Sequence, residues 1–180
     1  MKVADRDLVG DLLVGRRVLA LSVLDDGRPF VGQLPFAVRP DFGALLVHAS
    51  RLAQHSRGLV DGAPFSALIQ ARETDRDDPF QIPRLTVTGA VRALSPGSEE
   101  YDEAREAYLE KLPSGHITFS LGDFVLFALV IAKARLVAGF GRTANLTPGA
   151  LGRLVAAAGT ATELLADGDD NPVTGTGEGS

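Results

Sequence analysis

The segment from Phe124 to Gly141, FVLFALVIAKARLVAGFG, constrains the fold more than any other part of this chain. It is long and apolar, but Lys133 and Arg135 interrupt it, so it reads as two β-strands divided about residues 131–133 rather than as a membrane span. The join is a turn or a bulge. Arg84–Leu94 supports the β reading: Leu85, Val87, Gly89 and Val91 alternate with Arg84, Thr86, Thr88 and Ala90, the period of a strand with one buried face. Further strands are expected at Val18–Leu24, Phe30–Val38, Ala44–Ala49 and Phe65–Ala71. Turns at 25–28 (DDGR), Pro40–Gly43 and Asp61–Pro64 separate them. Gly32 and two prolines mark the second of these strands as bent or at an edge.

Helices are fewer. Leu8, Val9, Leu12 and Leu13 give a short amphipathic start. Ser98 caps a helix over Glu99–Lys111, acidic in its first turn, with Tyr101, Ala104 and Tyr108 on one face and Pro113 closing it. Thr147-Pro148 opens a last helix through Leu165. RETDRDDPFQIP, residues 72–83, reads as a long exposed loop, and loops of that length are often functional. Residues 1–166 form one domain, and 167–180, glycine-rich and acidic, form a disordered tail. Short antiparallel strands with helices between them, and no βαβ alternation, give an α+β class. The expected architecture is a Greek-key-like split β-barrel with peripheral helices, because closure removes exposed edges.

Composition removes several functions. The chain has 180 residues, 45% hydrophobic and 23% charged, enough for a sizeable core. With no cysteine there is no disulfide or thiolate chemistry, and three histidines without metal-ligand spacing give no metal site. A net charge of −5 argues against nucleic acid as partner. The opening MKVADRDLVGDLL lacks the order of a secretory signal and no run is long enough to span a bilayer, so a cytoplasmic protein without membrane contact is expected.

The candidate binding segment is SRLAQHSRGL, Ser50–Leu59, directly after a strand. As a helix it would have Ser50 as N-cap, exposed N–H groups and the positive dipole end beside Arg51, His55 and Arg57, a place for a phosphate. Leu52, Ser56 and Leu59 would form its buried stripe. The plainer reading is a capped surface helix with solvated arginines. His48 reads as either a groove residue or, more plainly, an edge-strand side chain, His116 as a surface loop residue, Asp123 as a turn residue before a core aromatic, and Phe140 as packed in the core or a dimer interface.

The order of the motifs says more than any one. VLALSVLDDGRPFVGQLPFAV, GALLVHASRLAQHSRGL, PFSALIQ, PRLTVTGAV, YLEKLP and DFVLFALVIAKARLVAGFGRTANL follow one another over residues 8–150. Together they resemble the pyridoxamine 5'-phosphate oxidase-like, FMN-binding split-barrel superfamily, with most similarity to its haem-utilisation (HugZ-type) branch. The resemblance implies a homodimer with FMN in grooves at the interface, acting on a small-molecule substrate. Ser50, Arg51, His55 and Arg57 would then take the phosphate, joined by Arg17 and Arg84. Ala20, Leu21 and Ser22, with the Gln33–Pro35 segment, would flank the flavin ring. The implied function is a flavin-dependent oxidoreductase whose cofactor carries the chemistry, with no acid or base assigned. Alternatives are haem binding or degradation through His48 or His116, a deazaflavin such as F420 as cofactor, and a non-catalytic flavin-binding module. In the resembled branch a C-terminal histidine ligates haem iron, and here none follows His116. Nor does a basic pattern after Gly141 support pyridoxamine phosphate oxidation.

Overall fold

The structure is a computed structural model that describes residues 3–75 and 77–155. Helix α1, Val3–Gly10, runs into a π-helical turn, Asp11–Gly15, that buries Leu12 and Leu13. The strands are β1 (Val18–Asp25), β2 (Arg28–Pro35), β3 (Ala37–Val38), β4 (Ala44–Ser50), β5 (Pro64–Gln70), β6 (Arg84–Ala93), β7 (Phe124–Gly139) and β8 (Arg142–Leu146). Between β6 and β7 lie α2 (Glu99–Lys111) and α3 (His116–Phe119), and α4 covers residues 148–155.

All pairings are antiparallel in one eight-stranded sheet, ordered β2-β1-β5-β6-β7-β4-β3, with β8 on β7. Its two ends, β2 and β3, are consecutive in the chain, so the sheet must curl until its edges meet. They meet at Phe36, which is fully buried and whose N–H donates to the Arg17 carbonyl (3.0 Å). The single strand expected over Phe30–Val38 is therefore two, because the chain leaves β1 after Pro35 and joins β4 through Ala37 opposite Leu46. The hairpin between β1 and β2 turns on Asp26 and Gly27, both at positive φ (50° and 73°), the backbone a two-residue turn matched to strand twist requires.

The largest departure is β7. The expected two strands are one strand of 16 residues. Thr88 faces Lys133 while Gly89 faces Ile131, so Ala132 is an extra residue, a β-bulge. The bulge resets the alternation. On one side Ala134 and Leu136 turn inward, on the other Ile131 and Leu129, and Lys133 and Arg135 are left on the outer face. A bulge lets a long apolar run keep its core face without a turn.

The main core fills the barrel with Leu21, Val47, Ile69, Val87, Leu129 and Leu136 among others, and Leu151 of α4 plugs one end. A second cluster packs α2, through Ala104 and Tyr108, and Leu112 just after it, onto Ala44, Leu46, Leu126 and Ala128. Strand β4 is thus buried on both faces. As expected, Ser98 caps α2 by accepting from the Tyr101 N–H (3.2 Å). The 72–83 loop is exposed over most of its length, with one 3₁₀ turn at Pro79–Gln81 capped by Asp78. The rest of the expected last helix and the 167–180 tail lie outside the described residues.

Candidate functional site

The Ser50–Leu59 segment does not form the expected helix. Ser50 is the last residue of β4, paired with Phe124, and only a single 3₁₀ turn, Gln54–Arg57, follows, without a side-chain cap. The Ser50 hydroxyl donates to Asp123 Oδ2 (2.5 Å) and accepts from the Leu52 N–H (3.1 Å), while the Arg51 N–H donates to the Asp123 carbonyl (2.8 Å). A phosphate at Ser50 would face a carboxylate. Arg57 is paired with Asp25 at 3.7 Å, and Gln54 reaches the same carboxylate at 3.4 Å. His55 packs over Gly32, with its Nε2 buried and without a partner among the described residues. Leu52 is 87% exposed and Leu59 5%, so the expected apolar stripe is absent too. The ladder to β7 carries the chain past the point where a helix could start, and four residues have too small a dipole to hold an anion.

The other expected residues divide between the two faces of the sheet. Leu21 is in the core and its neighbours Ala20 and Ser22 point outward, so the segment offers two small side chains. Their backbone is paired to β2 on one side and β5 on the other, which leaves no free donors for a ring carbonyl. Gln33 pairs with Ala20 on the outer face, and the same row continues through Leu68 and Thr86 to Arg135. Arg84 is also outward, one position beyond Thr86 in its alternation, and donates to the Ile82 carbonyl (3.3 Å). The structure does not gather Arg84 with Ser50–Arg57. Phe140 is not in the core: it is 77% exposed at the tip between β7 and β8, its N–H donating to Gln81 Oε1 (3.1 Å). His116 is exposed at the start of α3.

Arg17 leads instead to a cleft of ≈ 420 Å³ where the sheet edges meet beneath α2. With Arg17, its walls are Val18, Pro35, His48, Tyr108, Thr118 and Phe124. His48 is 6% exposed, a correction to the edge-strand reading: β4 is covered on both sides, and the outward face of His48 lies under α2 and α3. Its ring stacks on Phe119 (3.8 Å between centroids, 14° between planes) and meets Tyr108 edge-on at 6.0 Å. His48 Nδ1 is 2.9 Å from Thr118 Oγ1, and that hydroxyl spends its proton on the Gly115 carbonyl (2.8 Å). The imidazole therefore donates from Nδ1 and keeps its lone pair at Nε2.

Burial pushes the His48 pKa down to about 4 and that of the Tyr108 phenol up to about 12. Next to the cleft, Lys111 donates to the Leu13 carbonyl (2.8 Å) and lies 3.9 Å over the Phe36 ring; burial and then Arg17 lower its pKa to about 8. His48 makes the stability of the ligand-free protein depend on pH. The unfolded chain takes up a proton near pH 6.5 and the folded one only near pH 4, so stability present above pH 6.5 is lost as pH falls through that window. The loss amounts to about 3 kcal/mol. Urea titrations between pH 7 and 4.5 should show it and should show a flatter profile for His48→Phe; parallel profiles would mean that His48 protonates freely in the fold.

No family model and no curated protein matches the chain. Among solved structures, a heme binding protein from Mycobacterium smegmatis is 25% identical, covering 94% of this chain and 70% of that one, with a TM-score of 0.70. HutZ, the heme storage protein from Vibrio cholerae, is 26% identical over 73% of this chain and 91% of its own, with a TM-score of 0.61. A FAD-binding protein from Mesorhizobium loti shares the fold at 17% identity and a TM-score of 0.55, covering 74% of this chain and 92% of that one. Among the described residues no helix is long and apolar enough to cross a membrane.

Proposed function

We propose that this chain, which is similar in structure to haem proteins 25% and 26% identical to it, is a member of the haem-utilisation branch of the pyridoxamine 5'-phosphate oxidase-like split-barrel superfamily and binds haem at the His48 cleft. One observation carries the reading: a neutral imidazole whose Nδ1 proton is committed to Thr118 and whose Nε2 lone pair is left over, in the wall of a cleft. That tautomer and that kind of outer hydrogen bond are what a histidine ligand to iron requires. Thr118 holds the ring orientation, the Phe119 stack fixes its plane, and burial keeps it unprotonated. Arg17 supplies a cation for a propionate, and Tyr108, Leu112 and Phe124 supply apolar wall. Haem bound here would bring redox-active iron. The two haem proteins at 25% and 26% identity support this reading.

In the same proposal the active unit is a homodimer, since the outer face of β1 and β2 exposes Leu24 and Val31, apolar side chains that a second copy would cover. A second reading, a flavin-dependent oxidoreductase, draws on the strip of Gln33, Ala20 and Ser22 beside the cleft, narrow side chains against which a flat ring can lie. Its FMN phosphate would go to Arg17 rather than to Ser50–Arg57.

Titration of the purified protein with haemin and with FMN separates the two. The expected result is a shifted Soret band saturating at one haemin per chain, with FMN fluorescence unchanged. Quenched FMN fluorescence without a Soret shift would replace haem by flavin, and no change in either would leave a fold without this cofactor function.

A further inference from the structure

Strands β6, β7 and β8 carry an open groove of ≈ 580 Å³ on the outer face of the sheet, away from the His48 cleft. Register decides what stands in it. Thr88 is opposite Lys133 and Thr86 opposite Arg135, with Asn145 of β8 on the far side of Arg135, and all five line the groove. Lys133 and Arg135 are two positions apart on one strand, so they share a face at about 7 Å, and each has a threonine about 5 Å across the ladder. Arg135 donates to Asn145 Oδ1 (3.3 Å), which ties the guanidinium to the groove wall and leaves the Asn145 NH2 to donate. Among the described residues the Lys133 amine and the two threonine hydroxyls have no hydrogen-bond partner.

Exposure alone does not single these cations out, since Arg6, Arg28 and Arg51 are exposed as well. The difference is the concave wall. Arg142 shares its groove with Asp5, Arg72 shares one with Asp77 and Asp78, and Lys111 shares one with Glu110, whereas the β6–β8 groove has two cations in its wall and no carboxylate. In a chain of net charge −5 this wall runs against the composition. A cleft lined by one sign of charge focuses the field and gathers the ion it attracts. The donors form two sets along β7, each a cation with a hydroxyl beside it. Either set suits a phosphate, the guanidinium as a planar fork and the ammonium as a point charge. To engage both sets at once, an anion has to extend along the strand. The volume is that of a small-molecule site.

We propose that this groove binds a linear oligophosphate, free or carried by a nucleotide, along the Lys133–Arg135 row. The inference is independent of what binds at His48. Inorganic tripolyphosphate is the first probe, titrated into the full chain at about 0.1 M salt, where the Debye length is about 10 Å. Saturable shifts of the Thr86, Thr88, Lys133, Arg135 and Asn145 amides are expected. The Lys133→Gln/Arg135→Gln variant, whose two side chains are exposed, should bind about tenfold more weakly or worse. Arg6→Gln/Arg28→Gln removes the same charge elsewhere on the surface and should keep the affinity within about twofold. ATP separates the two sources: equal affinity assigns the free oligophosphate, and tighter binding that still depends on Lys133 and Arg135 assigns the nucleotide. Equal losses in the two double variants would reduce the effect to net charge and overturn the proposal. So would orthophosphate binding as tightly as tripolyphosphate, or amide shifts that fall outside the groove.

Discussion

Gly89→Ala is expected to destabilise the protein by about 3 kcal/mol or more, measured as a lower urea midpoint at an unchanged slope. A Cβ at residue 89 would lie 1.8 Å from the Val130 carbonyl oxygen, 2.9 Å from its carbon and 3.0 Å from the Ala132 N. All three are backbone atoms of the bulge, so no side-chain rotation relieves the contact. Either the bulge opens and β7 loses register with β6, or the two strands separate. Slippage by one residue would turn Leu129 and Ile131 out of the core and Lys133 toward it. A midpoint shift worth less than about 1 kcal/mol would mean that the bulge relaxes without cost. The same substitution at Gly122, where an added Cβ meets nothing within 4 Å, is the control.

The second large effect is on cofactor affinity. Thr118→Val keeps the shape of the side chain but removes the oxygen that accepts from His48 Nδ1. Loss of such an outer hydrogen bond to a metal-ligating histidine usually costs about 10–100-fold in metal affinity. Haemin titration of Thr118→Val should show a loss in that range, and His48→Ala should lose the shifted Soret band. A thermal melt of each variant shows whether the aromatic stack around His48 survives. Arg51→Ala/Arg57→Ala should leave haemin affinity within about twofold, because Arg57 faces Asp25 and Arg51 belongs to no cluster of cations. If the double arginine variant lost affinity and Thr118→Val did not, the site would return to the Ser50–Leu59 turn.

Residue pattern and structure agree where a local rule decides the conformation. The DDGR turn forms because aspartate and glycine accept positive φ, and α2 starts at Ser98 because its hydroxyl satisfies a free N–H. The alternation in β6 survives because one face of that strand packs on the core and the other does not. Ser50–Leu59 misleads for a stated reason: its helical pattern competes with a ladder to β7 and with Asp123, seventy-three residues away, and both win. His48 was visible in one respect. It is the lone polar residue in the run Ala44–Ala49, and a run apolar at both parities belongs to a strand covered on both faces.

What the sequence determined by itself was the antiparallel β character, the capped helix, the tight hairpin and the split-barrel fold, because each follows from neighbours in the chain or from the order of motifs. The tertiary structure decided three further matters. It made β7 a single bulged strand, because the facing register of β6 and the close backbone approach that Gly89 permits select a bulge over a turn. It buried His48 under Phe119 and Thr118, because α2 and α3 return across β4. It also dispersed the arginines expected at one phosphate site, because Arg57 pairs with Asp25, Arg84 turns to the Ile82 carbonyl and Arg17 lies at the His48 cleft.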